Sequence, residues 1–137
     1  MPLISALLDK PAQLSTASKY TAWSGAFYLV NGLGMTVWPG LTQSIFLDQP
    51  FMGHDEALMR VIGMLLAVIG WFYIIGGRSG GRQIVAASVF DRLTIVPLVL
   101  IPTAISGVFP HVFYTFSILD PALGLLAWFL LKREISG

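Results

Sequence analysis

Few side chains in this chain could do chemistry, and their spacing limits what that chemistry could be. Asp120 stands alone in the run 112–131, which carries no other charge. That run is long enough to cross a bilayer, since about 20 apolar residues at 1.5 Å rise span the hydrocarbon as a helix. A carboxylate near its middle costs about 2.5–3.5 kcal/mol on insertion scales, so it should face protein, a partner or water. Counted at 1.5 Å per residue from the outer ends of the predicted helices, Asn31, Thr103 and Ser117 lie about 10 Å deep, Arg60 about 4–5 Å and Asp120 about 13–15 Å. Each predicted helix thus sends a polar group into the same half of the bilayer. Arg60 is long enough to bend inward and meet Asp120, with Asn31 or Thr103 completing the hydrogen bonds. Arg92 counts as the worse partner, about 12 Å out of level with Asp120 when reckoned from the turn at Pro110. Asn31, Arg60, Thr103 and Asp120 are therefore the candidate ligand- or partner-binding residues. The competing reading is structural: an Arg60–Asp120 pair that fixes helix register, or a protonated Asp120 with Arg60 turned outward to Asp55 and Glu56.

The remaining constellations point to little. His54, Asp55 and Glu56, with Asp48 and the distant His111, have the donor chemistry of a metal site. Three consecutive residues of a helix cannot converge on one ion, however, and no HxxxH or HxxE spacing is present. The better account is a solvated helix start with acidic residues at its positive end, and no metal ligand or cofactor is assigned. The loop GGRSGGRQ has basic residues among glycines but lacks the GxxxxGK[ST] pattern of a phosphate cradle, and it reads as a basic turn facing anionic lipid. Cysteine is absent, which removes disulfides, thiolate ligands and thiol nucleophiles. No nucleophile, base and orienting group share a pattern, so no catalytic residue is assigned and the reading leans away from an enzyme.

The elements that must position these residues belong to a membrane protein. Of 137 residues, 55% are hydrophobic and 11% charged, with mean hydropathy +0.77, against about 25% charged in soluble domains. The expected architecture is all-α: one membrane domain of four transmembrane helices over about 19–38, 57–76, 84–109 and 112–131. Residues 1–18 form a tail or surface helix without the pattern of a signal peptide, and residues 39–56 form an interfacial loop. Gly25 and Gly32 mark one smooth helix face, and Gly63, Ala67 and Gly70 another, against which neighbouring helices or a second copy can pack. Pro97 and Pro102 should bend the third helix. That helix should begin near Leu93, leaving Asp91 and Arg92 at the membrane surface. Lys10, Lys19, Arg78, Arg82, Lys132 and Arg133 fall on one side of this arrangement and no Lys or Arg in the loops of the other, which predicts both termini in the cytoplasm. No Lys/Arg run is long enough to follow a nucleic acid.

The segment Tyr28-Leu29-Val30-Asn31-Gly32-Leu33-Gly34, followed by Trp38-Pro39-Gly40, together with Arg60 and Gly63 opening the second helix, resembles the DoxX-like and BphX-like small four-helix membrane proteins of bacteria. The resemblance implies a bacterial inner membrane and a companion role beside oxidoreductases or catabolic pathways, and it carries no catalytic residue. The expected function is a non-enzymatic accessory or scaffold subunit of a membrane assembly, in contact with lipid and either self-associated or within a larger complex. Two alternatives stand beside it: a pocket or carrier for a small lipophilic ligand or proton, and a small membrane enzyme acting on a lipid or sterol-like substrate.

Overall fold

A computed structural model describes residues 2–9 and 11–136, and Lys10 of the topology argument lies outside them. Among the described residues the chain is helical, with no strand. A short helix α1 (Pro2–Leu8) precedes α2 (Thr16–Val37), α3 (Pro39–Phe46), α4 (Asp55–Arg78), α5 (Arg82–Phe90), α6 (Val96–Ile105) and α7 (Pro110–Ser136). A π turn, Asp91–Ile95, joins α5 to α6 without interrupting the helix.

Local chemistry sets these limits. Ser15 opens α2 by accepting the Ser18 amide on its hydroxyl at 3.1 Å, as an N-cap should. Trp38 closes α2, and Pro39 starts α3 at the first helical position, where a missing N–H costs nothing. Asp55 and Glu56 occupy the first turn of α4. At the end of the bundle that holds the 39–56 connection Asp48 is buried and caps α7: its two carboxylate oxygens accept the His111 amide at 2.8 Å and the Val112 amide at 3.1 Å. Phe46 and Phe51 lie against Phe116 and Phe109, so the 39–56 connection is tied to the bundle.

Three helices are long and apolar enough to cross a membrane: Asp55–Arg78, Arg82–Ile105 and Pro110–Ile135. Helix α2 has the length but is not among them, because it carries Lys19 and Asn31 as well as Ser18, Thr21, Ser24 and Tyr28. Those residues are buried, and Trp23, Val30 and Val37 on its other face are 77%, 69% and 75% exposed. The face with Ser18, Thr21, Ser24 and Tyr28 therefore points inward, whereas Lys19 is exposed and Asn31 is only partly covered.

Helix α2 runs antiparallel along α4, and glycine permits the contact. A Cβ at Gly25 would stand 2.5 Å from the Gly70 carbonyl oxygen, and one at Gly63 would stand 2.7 Å from that of Gly32. The two predicted glycine faces are thus used on each other, as faces for a neighbouring helix. Helix α7 packs against α2, α5, α6 and the π turn, whereas α4 meets α5 but hardly α6. Ala17 donates its amide to Glu134 Oε1 at 2.7 Å, so the start of α2 and the end of α7 share one end of the bundle.

The third helix corrects the sequence reading. It begins at Arg82, about eleven residues before the expected start near Leu93, so Asp91 and Arg92 lie well inside it and Arg92 is 1% exposed. Pro97 supplies a cause for the π turn directly before it. Proline cannot donate to the carbonyl four residues back, and its ring crowds that carbonyl; the wider turn, in which Val96 N–H reaches Asp91 O, accommodates it.

A buried polar layer and a lateral cleft as the candidate functional site

Asp120, in the middle of α7, is 7% exposed. Its Oδ1 accepts the Tyr28 hydroxyl of α2 at 2.7 Å, and no hydrogen bond among the described residues reaches Oδ2. Tyr73 of α4 meets the Tyr28 ring edge-on, with centroids 5.8 Å apart, and donates its hydroxyl to Asp91 Oδ2 at 3.2 Å. Two tyrosines from the paired helices α2 and α4 thus each hold one carboxylate on the opposite side of the bundle.

Between these pairs lies Arg92. It comes from the π turn, and Gly124 of α7 leaves space for it, since a Cβ there would stand 3.0 Å from Arg92 Cβ. The guanidinium donates from Nη2 to the Ser88 hydroxyl at 3.2 Å. It lies over the Tyr73 ring at 4.9 Å and the Tyr28 ring at 5.7 Å. Desolvated cation–π contacts of this kind are worth up to about 2 kcal/mol each. Nε and Nη1 have no hydrogen-bond partner among the described residues, and Arg92 forms no ion pair within 4 Å with either carboxylate. The tyrosine rings and hydroxyls are therefore the direct links between the opposite charges.

The expected Arg60–Asp120 pair is not formed. Arg60 is exposed near the N-terminal end of α4, where Nη1 donates to the Thr36 carbonyl at 2.6 Å and Nη2 meets Glu56 Oε1 at 3.2 Å. A cation at the C-terminus of α2 satisfies carbonyls that the helix leaves unpaired and suits the negative end of its dipole. Asn31 and Thr103 also stay apart from Asp120: Asn31 Nδ2 donates to Phe27 O at 2.8 Å and Thr103 Oγ1 to Val99 O at 2.7 Å, each within its own helix. Of the four candidates, only Asp120 belongs to the buried layer.

The reckoning that set Arg92 aside failed at the turn. Residues 106–109 are outside both α6 and α7, so they add no axial rise to either. Counted from the helix ends at Ile105 and Pro110 instead, Arg92 is level with Leu123, three residues or about 4.5 Å from the level of Asp120, which its side chain spans. The available signal was its solitude: Arg92 is the one basic residue in the run 84–109. Tyr28 and Tyr73 gave no comparable signal, because a membrane tyrosine reads equally well as an interfacial anchor.

Beside this layer, where α4 and α6 diverge, a cleft of about 410 Å³ opens on the flank of the bundle. Leu65, Leu66 and Ile69 of α4 face Ile95, Val99 and Leu100 across it, and Phe113 and Phe116 of α7 form its back. Asp91 and Asp120 are the only polar side chains that line it. Its size is within the roughly 300–1,000 Å³ of small-molecule pockets.

At the outer surface His111 Nδ1 lies 3.5 Å from Asp48 Oδ1 and 2.9 Å from the carbonyls of Phe46 and Leu47. No three His, Cys, Asp or Glu residues converge on a metal-sized point among the described residues. Comparison with protein-family models, curated proteins and solved structures finds no match to this chain.

Proposed function

We propose that this small membrane protein holds a lipophilic molecule in the cleft between α4 and α6, with the Tyr28–Asp120 and Tyr73–Asp91 pairs beneath it. The observation that carries this is the cleft itself: apolar walls on three helices with two carboxylates as their only polar members. The accessory-subunit reading would place a partner's helix here. The cleft's volume corresponds to about one turn of a helix some 10 Å across, which suits a chain or ring system better than a partner helix.

In this proposal α2 crosses the bilayer with the other three long helices, and both termini are cytoplasmic. The inward-facing Ser18, Thr21, Ser24 and Tyr28 of α2, its exposed Trp23, Val30 and Val37, and its full-length contact with α4 support a fourth span. The Lys and Arg asymmetry supports the orientation. Kinship with DoxX-like and BphX-like proteins is part of the same proposal; Tyr28, in the segment that carries the likeness, holds Asp120.

Native mass spectrometry after gentle solubilisation tests the cleft. Wild type should carry one retained small molecule per chain, and a Leu65→Trp/Val99→Trp variant, monodisperse and helical, should carry none. Equal retention by both proteins, or a stoichiometric protein partner released only by the variant, would reject the reading.

A further inference from the structure

We propose that the cleft selects a lipophilic amine, bound as its ammonium with the head at Asp91 and Asp120 and the apolar body between α4 and α6. The inference rests on the cleft being a ligand site and adds the chemistry of what it takes.

Three observations fix the sign of the head group. First, both ionisable side chains that line the cleft are carboxylates, and no basic, amide or hydroxyl side chain joins them. Second, each carboxylate retains unused acceptor capacity. A carboxylate offers about four acceptor positions, whereas Asp120 receives one hydrogen bond, on Oδ1, and Asp91 receives one side-chain bond, on Oδ2. Asp120 is 93% removed from solvent by the fold (7% exposed), so its open oxygen is presented to the cleft and to little else. Third, the only neighbouring cation is turned away: Arg92 is 1% exposed, does not line the cleft, and lies against the two tyrosine rings.

Two carboxylates thus share one guanidinium that pairs directly with neither, leaving one negative charge uncompensated beside an apolar cavity. A charge so placed is relieved by taking up a proton or by a counter-charge. An ammonium group supplies it and donates up to three hydrogen bonds to oxygens that lack donors. An anionic amphiphile would meet like charge, because the guanidinium that could receive it lies behind Tyr28 and Tyr73.

The experiment compares three probes with one tail, dodecylamine, dodecanol and dodecanoate, at pH 7 on protein in zwitterionic nanodiscs. Specific binding is the difference between wild type and the Leu65→Trp/Val99→Trp variant, which removes the bilayer's own uptake. Dodecylamine should bind at least tenfold more tightly than the other two. Asp91→Asn and Asp120→Asn, tested separately, should each weaken the amine at least fivefold and leave dodecanol unchanged. Asn retains the size of Asp and a carbonyl acceptor for the tyrosine hydroxyl, and either variant alone suffices if the other does not fold. Equal binding of amine and alcohol would overturn the head-group inference while leaving the cleft a ligand site. Preference for dodecanoate would overturn it in favour of Arg92 as the anchor. Absence of specific binding by all three would overturn the inference and the cleft reading together.

Discussion

Along one flank of α4, Gly63, Gly70 and Gly77 bring the α2 backbone close enough that no side chain fits between them; along another, Leu65, Leu66 and Ile69 look across a cleft at α6. The two seams share a helix, and their sequences differ in a simple way. On the α2 side small residues recur every seven positions on both partners, so two backbones can meet and exclude lipid. On the α6 side both faces carry branched aliphatic side chains, and the facing helix widens into a π turn just before Pro97. The lesson is that in hydrocarbon an aliphatic face gains little by meeting another, because lipid tails are equally apolar. Only the glycine seam has a reason to close.

This contrast can be broken most severely at the glycine seam. Gly70→Leu places a Cβ 2.5 Å from the Gly25 carbonyl oxygen and the Leu29 amide, backbone atoms that cannot yield without separating the helices. The expected loss is about 3 kcal/mol, seen as a collapse of the monodisperse peak and of the melting temperature in detergent. Retention of wild-type stability would mean that the seam is not closed in solution.

A smaller effect is expected where the wall of the cleft is anchored without α4. Asp48 caps the first turn of α7 through two amides. Asp48→Ala should lower stability by about 2 kcal/mol, measured by thermal unfolding, and increase hydrogen exchange at Val112 and Phe113. An unchanged exchange rate there would show that the cap does not hold that wall.

The smallest effect belongs to the open seam. Val99→Phe adds volume where there is space and should change stability by no more than about 0.5 kcal/mol. A loss comparable to that of Gly70→Leu would show that the seam is packed and the cleft absent.

Much of the frame was legible in the sequence, and the reasons are local. The places of the helices followed from apolar runs and from Pro39, Pro110 and the acidic first turn of α4, except for the start of the third long helix, which lies at Arg82 and not near Leu93. The glycine faces could be read because a spacing of seven returns to the same side of a helix. Asp120 could be identified as a member of a buried layer because no other charge shares its run. Its partner could not be identified. Arg60 was the plausible cation by depth, yet the unpaired carbonyls at the end of α2 were nearer. Arg92 appeared too distant because turn residues had been counted as rise. Tyr28 and Tyr73 were invisible as site residues, since no linear pattern says which way a tyrosine turns when both its neighbours and its helix are apolar.

The amino-acid sequence by itself determined the helical segments and their apolar character, the two glycine faces, and the segregation of Lys and Arg among the connections. Each of these follows from hydropathy, backbone hydrogen bonding or residue size within one stretch of chain. Only the tertiary structure decided which polar groups meet: Tyr28 with Asp120, Tyr73 with Asp91, Arg92 between them, and a cleft beside them where α4 and α6 part. Those meetings depend on the rotation of each helix about its own axis and on the length lost in a turn. Both are set by contacts between residues distant in sequence, and no single stretch contains them.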